Sequence, residues 1–163
     1  RLEEAKLKEV DLHESIDNTL NLLAGEIKNR IQVGRDYGDI PLVTCYASQV
    51  NQVFMNILSN AVQAIEGNGN IWISTRPLQR PDGTSMVQIS FQDSGKGMTP
   101  QVMEKIFDPF FSTKGVGQGT GLGLSISYGI VQNHGGEIQV KSQVGIGTEF
   151  IVLILIKPKN ISN

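Results

Sequence analysis

Glycine recurs at every second position from Gly115 to Gly123, in the stretch Gly115-Val116-Gly117-Gln118-Gly119-Thr120-Gly121-Leu122-Gly123-Leu124. The chain holds 18 glycines in 163 residues, and twelve of them lie between Gly95 and Gly147. A usual share is about 7%. A flexible linker of this kind is rich in serine and poor in apolar residues. Here the glycines alternate with Leu, Ile, Phe and Val, which describes a shaped site inside a fold. The alternative is a disordered surface loop. The stretch is no Walker loop, because GxxxxGK[ST] occurs nowhere, and the spacing after each candidate pair fails GxGxxG. It does supply a run of uncovered backbone N–H groups leading into a helix, and such an N-terminus attracts phosphate. Lys114 adds a positive charge just upstream. Phe110 and Phe111 are expected to pin the loop to the domain.

The rest of the chain can build one domain around a real core. Hydrophobic residues make up 39% and charged residues 18%. A formal net charge of −2 gives no basic field for nucleic acid or an acidic membrane face. The longest apolar run, from Phe150 to Ile156, is too short to span a bilayer. A single cysteine, Cys45, precludes an internal disulfide framework and fits a reducing compartment. The expected location is cytoplasmic, whether or not a parent protein is membrane-anchored. The chain starts at Arg1 without Met, and it reads as a fragment.

Residues 1–10 are charged and helix-friendly, as the end of an upstream helix or a linker. Asp11 is a plausible cap. Leu12, Ile16, Leu20, Leu23 and Ile27 then recur at helical spacing. Residues 31–37 alternate as a strand, and 41–46 form an extended link. A second helix spans about 48–65 and stops at Gly67-Asn68-Gly69. Strands are expected at 70–76 and 86–92. Residues 94–120 are irregular, with one helical turn after Pro100. A third helix covers 121–133, and strands at 137–142 and 148–156 close the chain. This order gives an α+β fold, a two-layer α/β sandwich. Its mixed sheet has about five strands, covered on one face by three helices. The domain occupies 11–157, followed by a tail at 158–163.

Two polar features break the core pattern. On the second helix Val50, Val53, Phe54, Ile57, Ala61, Ala64 and Ile65 form an apolar stripe. Gln52, Asn56, Asn60 and Gln63 share its flank, and Asn56 and Asn60 lie one turn apart. An amide oxygen suits Mg²⁺, which keeps several waters and leans on phosphates. A polar core network or a solvated flank explains the pattern equally. In the strand at 86–92, Val87, Ile89 and Phe91 face the core, and Asp93 continues that parity. A carboxylate pointing inward must find donors. The exocyclic amine of adenine is one, and backbone N–H groups of the next turn are another. Gly95 and Gly97 would let the chain pass close to a flat ring. His13 reads as a surface residue, His134 as a structural group in the last helical turn, and Cys45 as packing.

Together these segments resemble the ATP-binding catalytic domain of bacterial sensor histidine kinases, within the GHKL ATPase superfamily and its Bergerat-type fold. Asn56-Ile57-Leu58-Ser59-Asn60-Ala61 is similar to the N box, and Asp93-Ser94-Gly95-Lys96-Gly97-Met98 to the G1 box. The run from Phe107 to Phe111 resembles the F box, the run from Gly117 to Leu124 the G2 box, and Gly145-Ile146-Gly147-Thr148 the last glycine motif. Phe110-Phe111-Ser112-Thr113-Lys114 looks like the nitrogen-regulation subtype.

The resemblance implies ATP and Mg²⁺ as cofactors. It places Asn60 on the metal, Asn56 on the phosphates or a metal-bound water, and Asp93 on the adenine amine. Gly95, Gly97, Met98 and Ile106 would line the base pocket. Lys114, Gly117, Gln118, Gly119, Thr120, Gly121, Leu122, Gly123 and Leu124 would hold the phosphates, with Asn56, Asn60 and Lys114 as the catalytic set. Thr148 would reach the adenine, through a water if not directly. Gln63 and Ala64 depart from the family, where a basic and an aromatic residue are common. No phosphoacceptor histidine box is present. The implied reaction is transfer of the γ-phosphoryl group to a histidine on a separate dimerisation domain, with a response regulator downstream. Neither nucleic acid nor direct membrane contact is expected. The competing readings are a GHKL-type ATPase, which Asn56 disfavours where relatives carry glutamate, and a non-catalytic nucleotide-binding module.

Overall fold

A computed structural model describes residues 6–111 and 123–158 of the chain. Lys8–Val10 forms a strand, β1, within the segment read as the end of an upstream helix or a linker. It pairs antiparallel with β3 (Val43–Cys45), Lys8 opposite Cys45. That partner lies more than thirty residues away in sequence, so local propensity could not show it. Asp11 caps α1 (Leu12–Leu22) by accepting the N–H groups of His13 and Glu14. The helical spacing continues to Ile27, but α1 ends at Leu22 with Leu23 as its C-cap, and α2 (Ala24–Ile27) adds one turn. Gly25 sits in that turn and weakens a longer helix.

The main sheet runs in the order β2 (Ile31–Tyr37), β4 (Gly69–Gln79), β5 (Ser85–Asp93), β7 (Gly147–Leu155), β6 (Glu137–Gln143). Only β2 against β4 is parallel. The β4–β5 hairpin is longer than the sequence suggests, and β4 continues through Pro77. A proline removes a ladder donor, so it belongs where one side of the strand is open. Here β2 stops at Tyr37, opposite Thr75, and leaves that side of β4 unpaired beyond it.

Three helices cover one sheet face. α3 (Ala47–Ala64) lies centrally, in contact with α1, with β5 and with α5 (Gly123–Asn133). Its buried side chains are Val50, Val53, Phe54, Ile57, Leu58, Ala61 and Val62. The apolar face is wider than one stripe because two helices flank α3. A short helix, α4 (Pro100–Lys105), follows β5 and is capped by Thr99, whose hydroxyl accepts the Val102 N–H. His134 is buried at the end of α5. Its Nδ1 is 2.8 Å from the Ile130 carbonyl, which can only accept, so Nδ1 carries the proton. Nε2 then accepts the Tyr46 N–H at the start of α3. His13 is half-buried rather than on the surface. Its ring stacks on Tyr37 with centroids 4.0 Å apart, and its Nε2 lies 2.7 Å from the Thr75 hydroxyl. Cys45 is fully buried, which pushes its thiol up to about 11.

Candidate functional site

One cleft gathers side chains from both layers. α3 contributes Asn60, Gln63 and Ala64, and the end of β5 and its following turn give Asp93, Lys96, Gly97 and Met98. Ile106 and Phe111 come from α4 and the residues after it, Gly123 and Leu124 from the start of α5, and Thr148 and Phe150 from β7.

Asp93 is placed as strand parity requires, at 7% exposure on the helix-covered face. Its Oδ1 accepts the Gly95 N–H at 2.8 Å, and the Thr148 backbone also donates to the carboxylate. Burial pushes the carboxyl pKa above its ordinary value, and these two backbone donors act against that rise. Turn donors are therefore in use. A carboxylate has about four acceptor sites, so capacity toward the cleft remains.

The turn after β5 and the β6–β7 turn meet at backbone distance. Gly97 has φ +76°, and a Cβ there would lie 2.1 Å from the Gln143 carbonyl oxygen. Gly147 has φ +146°, and its Cβ would lie 1.9 Å from the Asp93 carbonyl oxygen. The protein's own backbone thus already requires glycine at both positions. Gly95 lies against Ala64 and does not line the cleft.

The two asparagines of α3 divide. Asn60 lines the cleft, and among the described residues its side chain has no hydrogen-bond partner. Asn56 is turned toward α5. Its Nδ2 donates to the Gly123 carbonyl at 2.8 Å and to the Ser127 hydroxyl at 3.0 Å. Ser127 is fully buried and donates in turn to the Gly123 carbonyl. Asn56 therefore fastens the start of the helix that follows the glycine ladder.

Among the described residues Phe107, and not Phe110, makes the aromatic packing of its segment, with ring centroids 5.4 Å from Tyr128 and 6.4 Å from Phe150. Phe110 is 74% exposed with φ +67°, while Phe111 lines the cleft. Lys114, Gly117, Gln118, Gly119, Thr120, Gly121 and Leu122 lie outside the described residues. So does the Ser112-Thr113-Lys114 part of the subtype motif.

Sequence reasoning gave no role to Phe150 of the cleft wall, nor to two polar residues. Lys96 stands at the cleft, and its place inside the Asp-x-Gly-x-Gly run was the available signal. Ser142 binds the Met98 N–H and contacts the Thr148 hydroxyl, both at 2.8 Å. Only the register that sets Ser142 opposite Thr148 reveals it.

A family model described as histidine kinase-, DNA gyrase B-, and HSP90-like ATPase matches residues 45–158, which holds the cleft and most of the sheet. The chain belongs to this ATPase family. Sporulation kinase E of Bacillus subtilis is 37% identical over 142 residues, covering 86% of this chain and 18% of the relative. Sensor histidine kinase ZraS of Escherichia coli is 37% identical over 158 residues, covering 96% of this chain and 32% of the relative. The chain thus spans a third or less of these curated relatives. It spans 98% of a solved catalytic domain of histidine kinase ThkA, with TM-score 0.80, 32% identity and 94% of this chain covered. ThkA has also been solved in complex with a response regulator protein, TrrA, and this match has TM-score 0.77 at 29% identity, covering 94% of this chain and 43% of that one. Within the family the chain is a sensor histidine kinase ATP-binding domain, a two-layer α+β sandwich of the expected kind. Among the described residues no helix is long and apolar enough to cross a membrane.

Proposed function

We propose that this domain, residues 11–157 reached through the segment 1–10, binds Mg-ATP and passes the γ-phosphoryl group to a histidine on a separate dimerisation domain. The phosphoryl group then moves to a response regulator, in the cytoplasm. One juxtaposition carries this reading: a buried carboxylate with spare acceptor capacity faces the same cleft as a partnerless amide on α3. The carboxylate suits a purine amine. The amide oxygen of Asn60 is the kind of hard ligand Mg²⁺ takes alongside waters and phosphates. When bound, the metal supplies positive charge against the triphosphate.

The chain's own residues bind and position, which is most of what phosphoryl transfer asks of a protein. Asp93 holds the base, with Gly97, Met98 and Ile106 around it and Thr148 beside it. Asn60 holds the metal side, with Gln63 at the rim. Lys114, Gln118 and Thr120 belong to the phosphate side, with Gly117, Gly119, Gly121, Leu122, Gly123 and Leu124. Asn56 serves this side through the start of α5. Hydrolysis by a gyrase-like route is disfavoured, because an amide committed to α5 stands where a carboxylate base is wanted.

The test is to mix the chain with histidine-bearing dimerisation domains, Mg²⁺ and γ-labelled ATP. Label should appear on one of those domains, and should vanish without Mg²⁺ or with Asp93→Asn. Rapid phosphate release to water, with no labelled partner, would overturn transfer and favour the ATPase.

A further inference from the structure

We infer that Ser142 is a positioning residue which fixes the Thr148 hydroxyl as a hydrogen-bond acceptor, so that the cleft selects a 6-amino purine over a 6-oxo purine. The inference rests on the ATP reading above and adds how the base is discriminated. Three contacts converge on the Ser142 Oγ. The Met98 N–H donates to it at 2.8 Å. The Gly147 carbonyl oxygen lies 3.0 Å away and can only accept, so this contact and the one to Thr148 are hydrogen bonds together only when Ser142 gives its one proton to Gly147. The Thr148 Oγ1 lies 2.8 Å away. With the serine proton spent, that contact is a hydrogen bond only if Thr148 donates. The threonine proton then points at Ser142, and only lone pairs remain for the cleft that Thr148 lines.

Thr148 is 7% exposed and stands opposite Asp93 in the β5–β7 register. An ionised carboxylate also only accepts. The wall thus offers two acceptors and no side-chain donor from this pair. An exocyclic amine brings two N–H groups and satisfies both, directly or through one water. A 6-oxo purine brings an acceptor oxygen to the same place and leaves buried acceptors facing it, an arrangement sites reject strongly. Without Ser142, the Thr148 hydroxyl is free to rotate and donate to that oxygen.

The measurement is the ratio of ATP to ITP affinity, by calorimetry with Mg²⁺, for the whole chain and its variants. The wild type should prefer ATP by roughly hundredfold or more. Ser142→Ala should lower that preference about tenfold, the worth of one neutral hydrogen bond. Ser142→Thr keeps the hydroxyl and should keep the ratio. Thr148→Val should lower it as Ser142→Ala does, and the double variant should lower it no further, since both act through one hydroxyl. A displaced Met98 alone would weaken both nucleotides equally and leave the ratio alone. An unchanged ratio in Ser142→Ala, or additive losses in the double variant, would overturn the inference while ATP binding stands. A wild type that binds neither nucleotide would overturn the ATP reading and this inference with it.

Discussion

Asp93 serves two opposed demands, being buried and yet needed as an acceptor. Burial is the larger effect on its pKa and raises it, with the Gly95 and Thr148 backbone donors opposing. In the unfolded chain an aspartate titrates near about 3.9. Between that value and the raised one, the folded domain holds the proton more firmly than the unfolded chain does. The associated stability is complete below the unfolded value and is lost as pH rises through the folded one. Nucleotide affinity runs the other way, because the ionised carboxylate is the better acceptor. Urea unfolding across this window should show the wild type losing stability with rising pH relative to Asp93→Asn, while its ATP affinity rises. A pH-independent difference between the two proteins would show that Asp93 ionises as it does unfolded.

At the scale of the element, α3 and α5 are joined beside the cleft by polar bonds as well as packing. Asn56 donates to both Gly123 and Ser127, and Ser127 returns a bond to Gly123. Asn56→Ala leaves the buried Ser127 hydroxyl without that donor and loosens the first turn of α5. Local opening there should become easier by about the worth of one to two hydrogen bonds. Hydrogen exchange at residues 127–130 should speed up about tenfold, while β4–β5 amides stay as they were. Equal acceleration in both places would mean a global loss of stability instead. The helix itself was legible, because Val50, Val53, Ile57 and Ala61 repeat with the helical period and face the core. The inward turn of Asp93 was legible from strand parity. The aim of the Asn56 amide was not, since helical spacing gives a face and not a partner. β1 and Ser142 were hidden for a related reason: each gains its meaning from a strand paired across a turn or from far along the chain.

At the scale of the whole molecule, the cleft sits where the C-terminal half of α3 meets the end of β5, and both histidines lie elsewhere. His134 binds Tyr46 at the start of α3, fourteen residues before Asn60, or about 20 Å along a helix rising 1.5 Å per residue. His13 meets Thr75, four residues along β4 from Ile71, which pairs with Asp93; that is about 13 Å of strand. Neither ring can approach a phosphate held near Asn60 within the same molecule. Transfer between copies meets a second obstacle. Both nitrogens of the buried His134 are engaged, and His13 is stacked on Tyr37 with Nε2 against Thr75. Phosphorylating either one costs its hydrogen bond, and for His134 it also costs burial. The chain incubated alone with γ-labelled ATP and Mg²⁺ should therefore carry no label that survives base and is lost in acid, the behaviour of a phosphohistidine. The same preparation should label an added dimerisation domain. Base-stable label on the isolated chain, removed by His13→Ala or His134→Ala, would show that this fold opens far enough to become its own acceptor.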